Sequence, residues 1–215
     1  MLLGVRMNTK KLLKAISVCL IFYSSNAAAE INWKVFSSRT NIKFKVKHFV
    51  LMEVEGQFKN PQGMVNTASE NDFTNAHVEA RIPVNTVTTG NVDRDTHLKK
   101  EVFFYADKFP EMVFKSKKVV KKSNGEYSML GDLSIRGVTL PIIFNVVNSG
   151  SKQSSDGKLR SKFVAKGSVN RYDYGLKWNE VTEAGGMVVG DKVDIEMDVT
   201  LEKAGTVVAS SFATN

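Results

Sequence analysis

The sequence predicts an all-β domain, an antiparallel barrel or sandwich of about eight or nine strands. Three observations predict it. Apolar and polar residues alternate with period two through most of the chain, leaving each strand one wet and one dry face, as in antiparallel rather than buried parallel sheet. Turn residues punctuate the runs at Asn60-Pro61, Ser123-Asn124-Gly125 and Arg136-Gly137. Only one stretch carries helix-start signals, where Asp93 or Asp95 could cap a short turn through Thr96, Leu98 and Lys100. With 215 residues, 42% of them apolar, the chain is large enough for one domain with a buried core.

Residues 1–29 stand apart from this pattern. Lys10, Lys11 and Lys14 precede a short apolar run, Ala15 to Tyr23, and Ala27-Ala28-Ala29 supplies a small-residue cleavage site. The run is shorter than the roughly 20 residues a bilayer span needs, and no later stretch is apolar enough to span. We read a cleaved export signal, with Met7 as an alternative start, and one domain over residues 30–215. Cys19, the only cysteine, lies in the leader; Val18 is bulky for the position before a lipoprotein cysteine. The mature chain then has no disulfide and no thiolate. Cleavage removes Arg6 and three lysines but no acid, lowering the formal net charge from +8 to about +4. That mild surplus lies along strands, as in Lys43, Lys45 and Lys47, and is not the basic patch with interleaved aromatics that nucleic acid requires.

In chain order, Ile31, Trp33 and Val35 form the first apolar alternation. Ile42, Phe44, Val46 and His48 face away from Lys43, Lys45 and Lys47; Val54, Gly56 and Phe58 face away from Glu53, Glu55 and Gln57. Ala76, Val78, Ala80 and Ile82 oppose His77, Glu79 and Arg81, and Met112, Phe114 and Ser116 follow the helical segment. Tyr127 to Ile135, Val138 to Val146 and Phe163 to Val169 continue the pattern, separated by Arg136-Gly137 and by a polar loop from Ser149 to Gly157. The last run is the clearest, with Val193, Ile195, Met197, Val199 and Leu201 opposite Lys192, Asp194, Glu196, Asp198 and Thr200. Gly56, Ala80, Gly131 and Gly167 face inward. They either leave room for a ligand or make room for neighbouring phenylalanines, and periodicity does not separate the two.

The segment TGNVDRDTHLKKEVFF, residues 89–104, gathers Asp93, Arg94, Asp95 and His97 and reads first as a catalytic cluster. Spacing argues against it. Asp93 and Asp95 are two apart and do not face each other on a helix, while Thr96 and His97 are adjacent and diverge. A nucleophile elbow is lacking, and His48 and His97 are far apart in sequence, which weighs against a metal site.

Four stretches, FKVKHFVLMEVEGQF (44–58), TGNVDRDTHLKKEVFFYADKFPEMVFKS (89–116), GDLSIRGVTLPI (131–142) and NRYDYG (170–175), together resemble the YceI family in order and spacing across nearly the whole mature chain. The matching positions include Thr89, Gly90, Arg94, Asp95, His97 and Leu98, then Pro110, Phe114 and Ser116, Arg136 and Gly137, and Arg171, Asp173 and Gly175; Val102 departs from the small polar residue frequent there. The resemblance implies a lipocalin-like antiparallel eight-stranded β-barrel with one or two short helical turns and an elongated apolar tunnel. It also implies an exported, periplasmic protein of a Gram-negative bacterium that binds a long isoprenoid or similar fatty amphiphile, with homodimers frequent.

On that reading the ligand-facing residues are Phe44, Val46 and His48; Phe58; Val78, Ala80 and Ile82; His97, Phe103 and Phe104; Phe114; Leu133 and Ile135; and Phe144 and Phe163. Arg94, Asp95, Arg171 and Asp173 are expected to form ion pairs that clasp the 89–104 segment over the tunnel entrance. No catalytic residue, metal or cofactor is expected beyond the non-covalent lipid. The alternatives are an enzyme acting on such a lipid, which would depend on His97, or an interaction protein whose barrel is filled.

Overall fold

The computed structural model describes residues 30–48, 52–179 and 188–207; the expected leader, with Cys19, lies outside them. Ten strands follow in order: β1 (Glu30–Val35), β2 (Asn41–His48), β3 (Met52–Phe58), β4 (Gln62–Thr67), β5 (His77–Pro83), β6 (Glu111–Ser123), β7 (Glu126–Ile135), β8 (Val138–Gln153), β9 (Leu159–Asn170) and β10 (Val189–Val207). All pairings are antiparallel, and they close a ring: β1-β4-β5-β6-β7-β8-β9-β10 and back to β1. The ring has eight positions, because β10 pairs with β2 along its first half and with β1 along its second. β1 and β2 are thus two lengths of one ring position, and β4 and β3 are two lengths of the next.

The break between β1 and β2 is a 3-10 turn at Ser37–Arg39, and the break between β3 and β4 holds Asn60 with φ 55°. Ser37 donates its hydroxyl hydrogen bond to the Pro61 carbonyl across these breaks. Thr200 stitches the first of them. Its N–H donates to Thr40 Oγ1 at 3.2 Å, its hydroxyl donates to the Arg39 carbonyl at 2.9 Å, and its carbonyl accepts from Phe36 N–H at 2.8 Å. Thr200 was expected on a wet face; it is only 4% exposed, because the turn folds over it and satisfies its polar groups.

Two sequence expectations change. β4 is an additional strand, weakly patterned because Val65 is the one apolar residue it buries; Thr67, also buried, accepts a 3.0 Å hydrogen bond from Trp33 Nε1–H. The 149–157 loop is mostly strand: β8 and β9 run on past the core as a two-stranded hairpin with a bulge between Asn148 and Ser151. Polar residues occupy both faces there, so backbone pairing continues after the hydrophobic alternation has stopped. Arg160 steadies this extension through Asp156 and Glu202, both at 2.6 Å.

Ser116 explains its place in the F-x-S stretch. At the β5–β6 boundary its hydroxyl accepts from Val78 N–H at 2.8 Å and donates to the Ala76 carbonyl at 3.1 Å, replacing ladder bonds where β6 shifts register against β7. Outside the barrel, lysines pair with acids on neighbouring strands, as Lys43 with Asp198, Lys45 with Glu55 and Lys166 with Glu196. Solvent screens such exposed pairs and the long side chains give up rotamer freedom to form them, so the barrel is held by its interior.

Inside, the small inward residues receive aromatic rings. A Cβ on Gly56 would lie 2.2 Å from Phe44 Cζ, one on Gly131 2.4 Å from Phe114 Cζ, and one on Gly167 2.7 Å from Phe144 Cδ1. Phe44 and Gly56 are direct cross-strand partners. The glycines are therefore occupied sites, and each ring lies down against the wall. Space in the barrel comes from rings laid flat, and the glycines allow it.

Candidate functional site

Among the described residues, a cavity of about 500 Å³ lies inside the barrel, lined from the Phe73 end to the His97 end. Its wall includes Phe44, Val46 and His48 of β2, Phe58 of β3, Val78, Ala80 and Ile82 of β5, and Phe114 of β6. Leu133 and Ile135 of β7, Phe144 of β8 and Phe163 of β9 continue the wall. Met129, Met197, Ile195 and Val199 also face it, two of them flexible thioethers on strands whose period-two pattern marked them as inward but which had not been singled out.

The cavity has two unlike ends. At the floor, the segment between β4 and β5 crosses under the barrel, and buried Phe73 packs on Trp33 and Phe163. At the other end, the polar residues gather. There the edge of β3 is met by a two-residue bridge, with Gln57 and Thr88 exchanging backbone hydrogen bonds of 2.8 and 2.9 Å. The chain from Val84 to Pro110 then occupies the space beside β3 and carries the helix α1 (Val92–Lys99).

Asn91 caps α1, its side chain accepting from Arg94 N–H at 2.9 Å. The expected caps, Asp93 and Asp95, sit instead in the first turn, where negative charge complements the helix dipole. Asp95 reaches back to Thr89, accepting from its N–H at 2.7 Å and its hydroxyl at 2.6 Å. Burial alone would raise the Asp95 carboxyl; hydrogen bonds from Thr89 and Thr88 outweigh it and hold the group below the usual carboxylate value. Arg94 Nε donates to Thr89 Oγ1 at 2.8 Å and Nη2 to its carbonyl at 3.2 Å. Arg94 and Asp95 thus clasp a threonine rather than pair with each other.

Arg171 departs further from the expected ion pair. It is 4% exposed, and its partners are carbonyls and a hydroxyl. Nε donates to Gly190 O at 2.7 Å, Nη1 to Leu176 O and Trp178 O, and Nη2 to Val189 O at 3.0 Å and Tyr172 Oη at 3.2 Å. Burial pushes its guanidinium below the ordinary arginine value. Asp173 is exposed on the turn beside it. A planar fork satisfies five directions at once, so Arg171 fastens residues 176–178 to the start of β10. Asn179 adds a second fastening, exchanging hydrogen bonds with Val189 at 2.7 and 2.9 Å. Arg136 does the same between other segments, donating to Glu101 O at 2.9 Å and Gly175 O at 3.2 Å.

The purpose of that fastening is visible in Trp178. Its ring, the His97 ring and the Phe103 ring meet pairwise at 5.1 Å, His97 standing edge-on to both. Phe104 points inward and meets Phe58 edge-on at 5.6 Å. His48, at the end of β2, pairs with Val189, so it lies at the same end. Thr96 donates its hydroxyl to the Val92 carbonyl at 2.8 Å, away from any partnership with His97. Among the described residues no cluster of three or more His, Cys, Asp and Glu side chains is placed to hold a metal. Trp178 was missed from sequence; its one signal was a large aromatic in an otherwise polar, strandless stretch.

A closed antiparallel barrel with an aromatic floor, an apolar lumen and a hydrogen-bonded rim defines a lipocalin-like container. The family follows from comparison: the YceI-like domain model matches residues 33–201, and the chain belongs to that family. A UPF0312 protein of Staphylococcus aureus (strain MSSA476) is 32% identical over 166 residues, covering 77% of this chain and 94% of its own. The crystal structure of the Campylobacter jejuni YCEI protein superposes with a TM-score of 0.62 at 26% identity, covering 74% of this chain and 90% of that one. The fold is shared more distantly with a polyisoprenoid binding domain from Saccharophagus degradans, with a TM-score of 0.56 at 13% identity, covering 80% and 98% of the two chains.

Proposed function

We propose that this protein is an exported carrier that encloses the tail of an isoprenoid or similar fatty amphiphile in its lumen and leaves the head group at the His97–Trp178 rim. The carrying observation is the contrast between the two ends: an apolar lumen shut below by Phe73 packed on Trp33 and Phe163, and bordered above by Thr89, Asp93, Arg94 and His97 beside the Phe103 and Trp178 rings. Burial of each methylene contributes roughly 0.8 kcal/mol, so a tail is held without a charged contact. Membership of the YceI-like family and the fold shared with the Saccharophagus polyisoprenoid binding domain support this reading. The apolar leader supports export to the periplasm. Pairing into homodimers is part of the same proposal, and sedimentation of the mature protein decides it.

Taking a water's share of liquid as the scale, roughly 30 Å³ per heavy atom, the cavity of about 500 Å³ encloses on the order of 15 to 20 tail carbons. A longer chain leaves its remainder outside the rim. The test is mass spectrometry of organic extracts from protein purified without detergent. One amphiphile per chain, rebinding to stripped protein and recovered chemically unchanged, is the expected result. A protein that yields none and rebinds none has a filled or idle barrel, and one that returns an altered lipid is an enzyme.

A further inference from the structure

We propose that Phe73 is the ruler of this site: the aromatic floor sets how long a tail the lumen accepts. The inference rests on the tail-binding reading and adds the residue that would decide tail length.

Residues 68–76 cross beneath the barrel instead of turning tightly from β4 into β5. The crossing is anchored along its length. Thr67 donates its hydroxyl to Ser69 O at 2.8 Å, Glu70 pairs with Lys203, and Asn75 N–H donates to Val119 O at 2.9 Å. Asp72 accepts from Thr74 N–H at 3.0 Å and its hydroxyl at 2.7 Å, and those bonds hold its carboxyl below the usual range. The buried Tyr127 hydroxyl accepts from Phe73 N–H at 3.3 Å and donates to Asp72 Oδ1 at 3.4 Å. So much anchoring delivers one ring into the barrel. Phe73 is 4% exposed, lies 4.7 Å from the Phe163 ring and 5.5 Å from Trp33, and lines the cavity from below.

A head group kept at the polar rim sends its tail toward this ring. Added carbons gain contact until the tail meets Phe73; after that they stay outside. Affinity then rises roughly fourfold per methylene and stops rising at a break length. For a cavity of about 500 Å³ the break falls near three isoprene units. Removing a six-carbon ring opens room for about one more five-carbon unit, and enlarging it to an indole takes room away.

The experiment uses the stripped mature chain and its Phe73→Ala, Phe73→Leu and Phe73→Trp variants. Isoprenoid alcohols of increasing length compete with a fluorescent fatty probe, and circular dichroism confirms the fold of each variant. Phe73→Ala should move the break about one unit longer, and Phe73→Trp, which adds about three heavy atoms, should shorten it by about half a unit, seen as weaker binding of the break-length alcohol; Phe73→Leu, the milder truncation, moves it in the same direction as Ala and serves if Ala does not fold. A break that stays put in folded variants overturns the ruler while leaving the carrier reading standing. A wild-type protein that binds no member of the series overturns both.

Discussion

Replacing Gly56 by Ala tests whether the lumen wall is shaped by phenylalanines lying over glycines. The new Cβ would sit 2.2, 2.6 and 3.0 Å from Cζ, Cε1 and Cε2 of Phe44, and from no backbone atom within that range. The clash is therefore with the far end of one side chain, which moves rather than breaking the ladder. With the β2–β3 backbone behind it, the ring swings into the lumen. At roughly 30 Å³ per carbon-sized group, six ring carbons occupy about a third of the 500 Å³ cavity. A tail loses about three to five methylene equivalents of burial, about 2.4–4 kcal/mol, or roughly 60- to 900-fold in affinity. Overpacking costs the fold about 1–3 kcal/mol. Titration of stripped protein with a tail that fills the wild-type lumen, alongside a thermal melt, reads both quantities. Wild-type affinity in a folded Gly56→Ala protein would refute the reasoning, because the tail would then not share space with Phe44. Gly131→Ala is the contrast: its Cβ would also lie 2.5 Å from the Lys115 carbonyl, so it should lose stability before it loses affinity.

Thr200→Val strands the Arg39 carbonyl beside a buried methyl and should cost about 1–3 kcal/mol in chemical denaturation. Arg171→Lys keeps the charge but not the fork, so the stretch around Trp178 should loosen and Trp178 fluorescence shift red; an unchanged spectrum would deny its positioning role. Asp95 has a lowered carboxyl value in the fold, so its clasp on Thr89 adds stability above the unfolded carboxylate range and is lost as pH falls through the folded value. The protection factor of the Thr89 amide, its exchange rate corrected for the intrinsic pH dependence, should therefore fall in acid, and Asp95→Asn should show low protection at neutral pH too.

Much of this molecule is legible from alternation alone. A strand with one apolar face has one place to put it, so Val193 to Leu201, Ile42 to His48 and Tyr127 to Ile135 face a common interior whatever the strand order. That reasoning also names most of the lumen wall. It fails where burial is not apolar. β4 buries a threonine that satisfies Trp33, and Thr200, on the nominally wet side, is covered by a turn. It fails again past the end of the core, where β8 and β9 continue on backbone pairing alone.

The rim shows the same division. Asp93, Arg94, Asp95 and His97 were visible as a polar cluster, and local spacing was enough to disfavour catalysis. Their partners were not visible. Arg171 resembled half of an ion pair, yet its partners are the carbonyls of residues 176, 178, 189 and 190, and a backbone carbonyl has no sequence signature. The fate of the inward glycines was equally open. Side-chain type showed that room existed at Gly56, Gly131 and Gly167; strand register, which sets Phe44 opposite Gly56, decided that aromatic rings fill it. Polarity along a strand is local and survives in one dimension. Which strand lies beside it, and so whether a gap is filled or left for a ligand, is settled only when the ring closes.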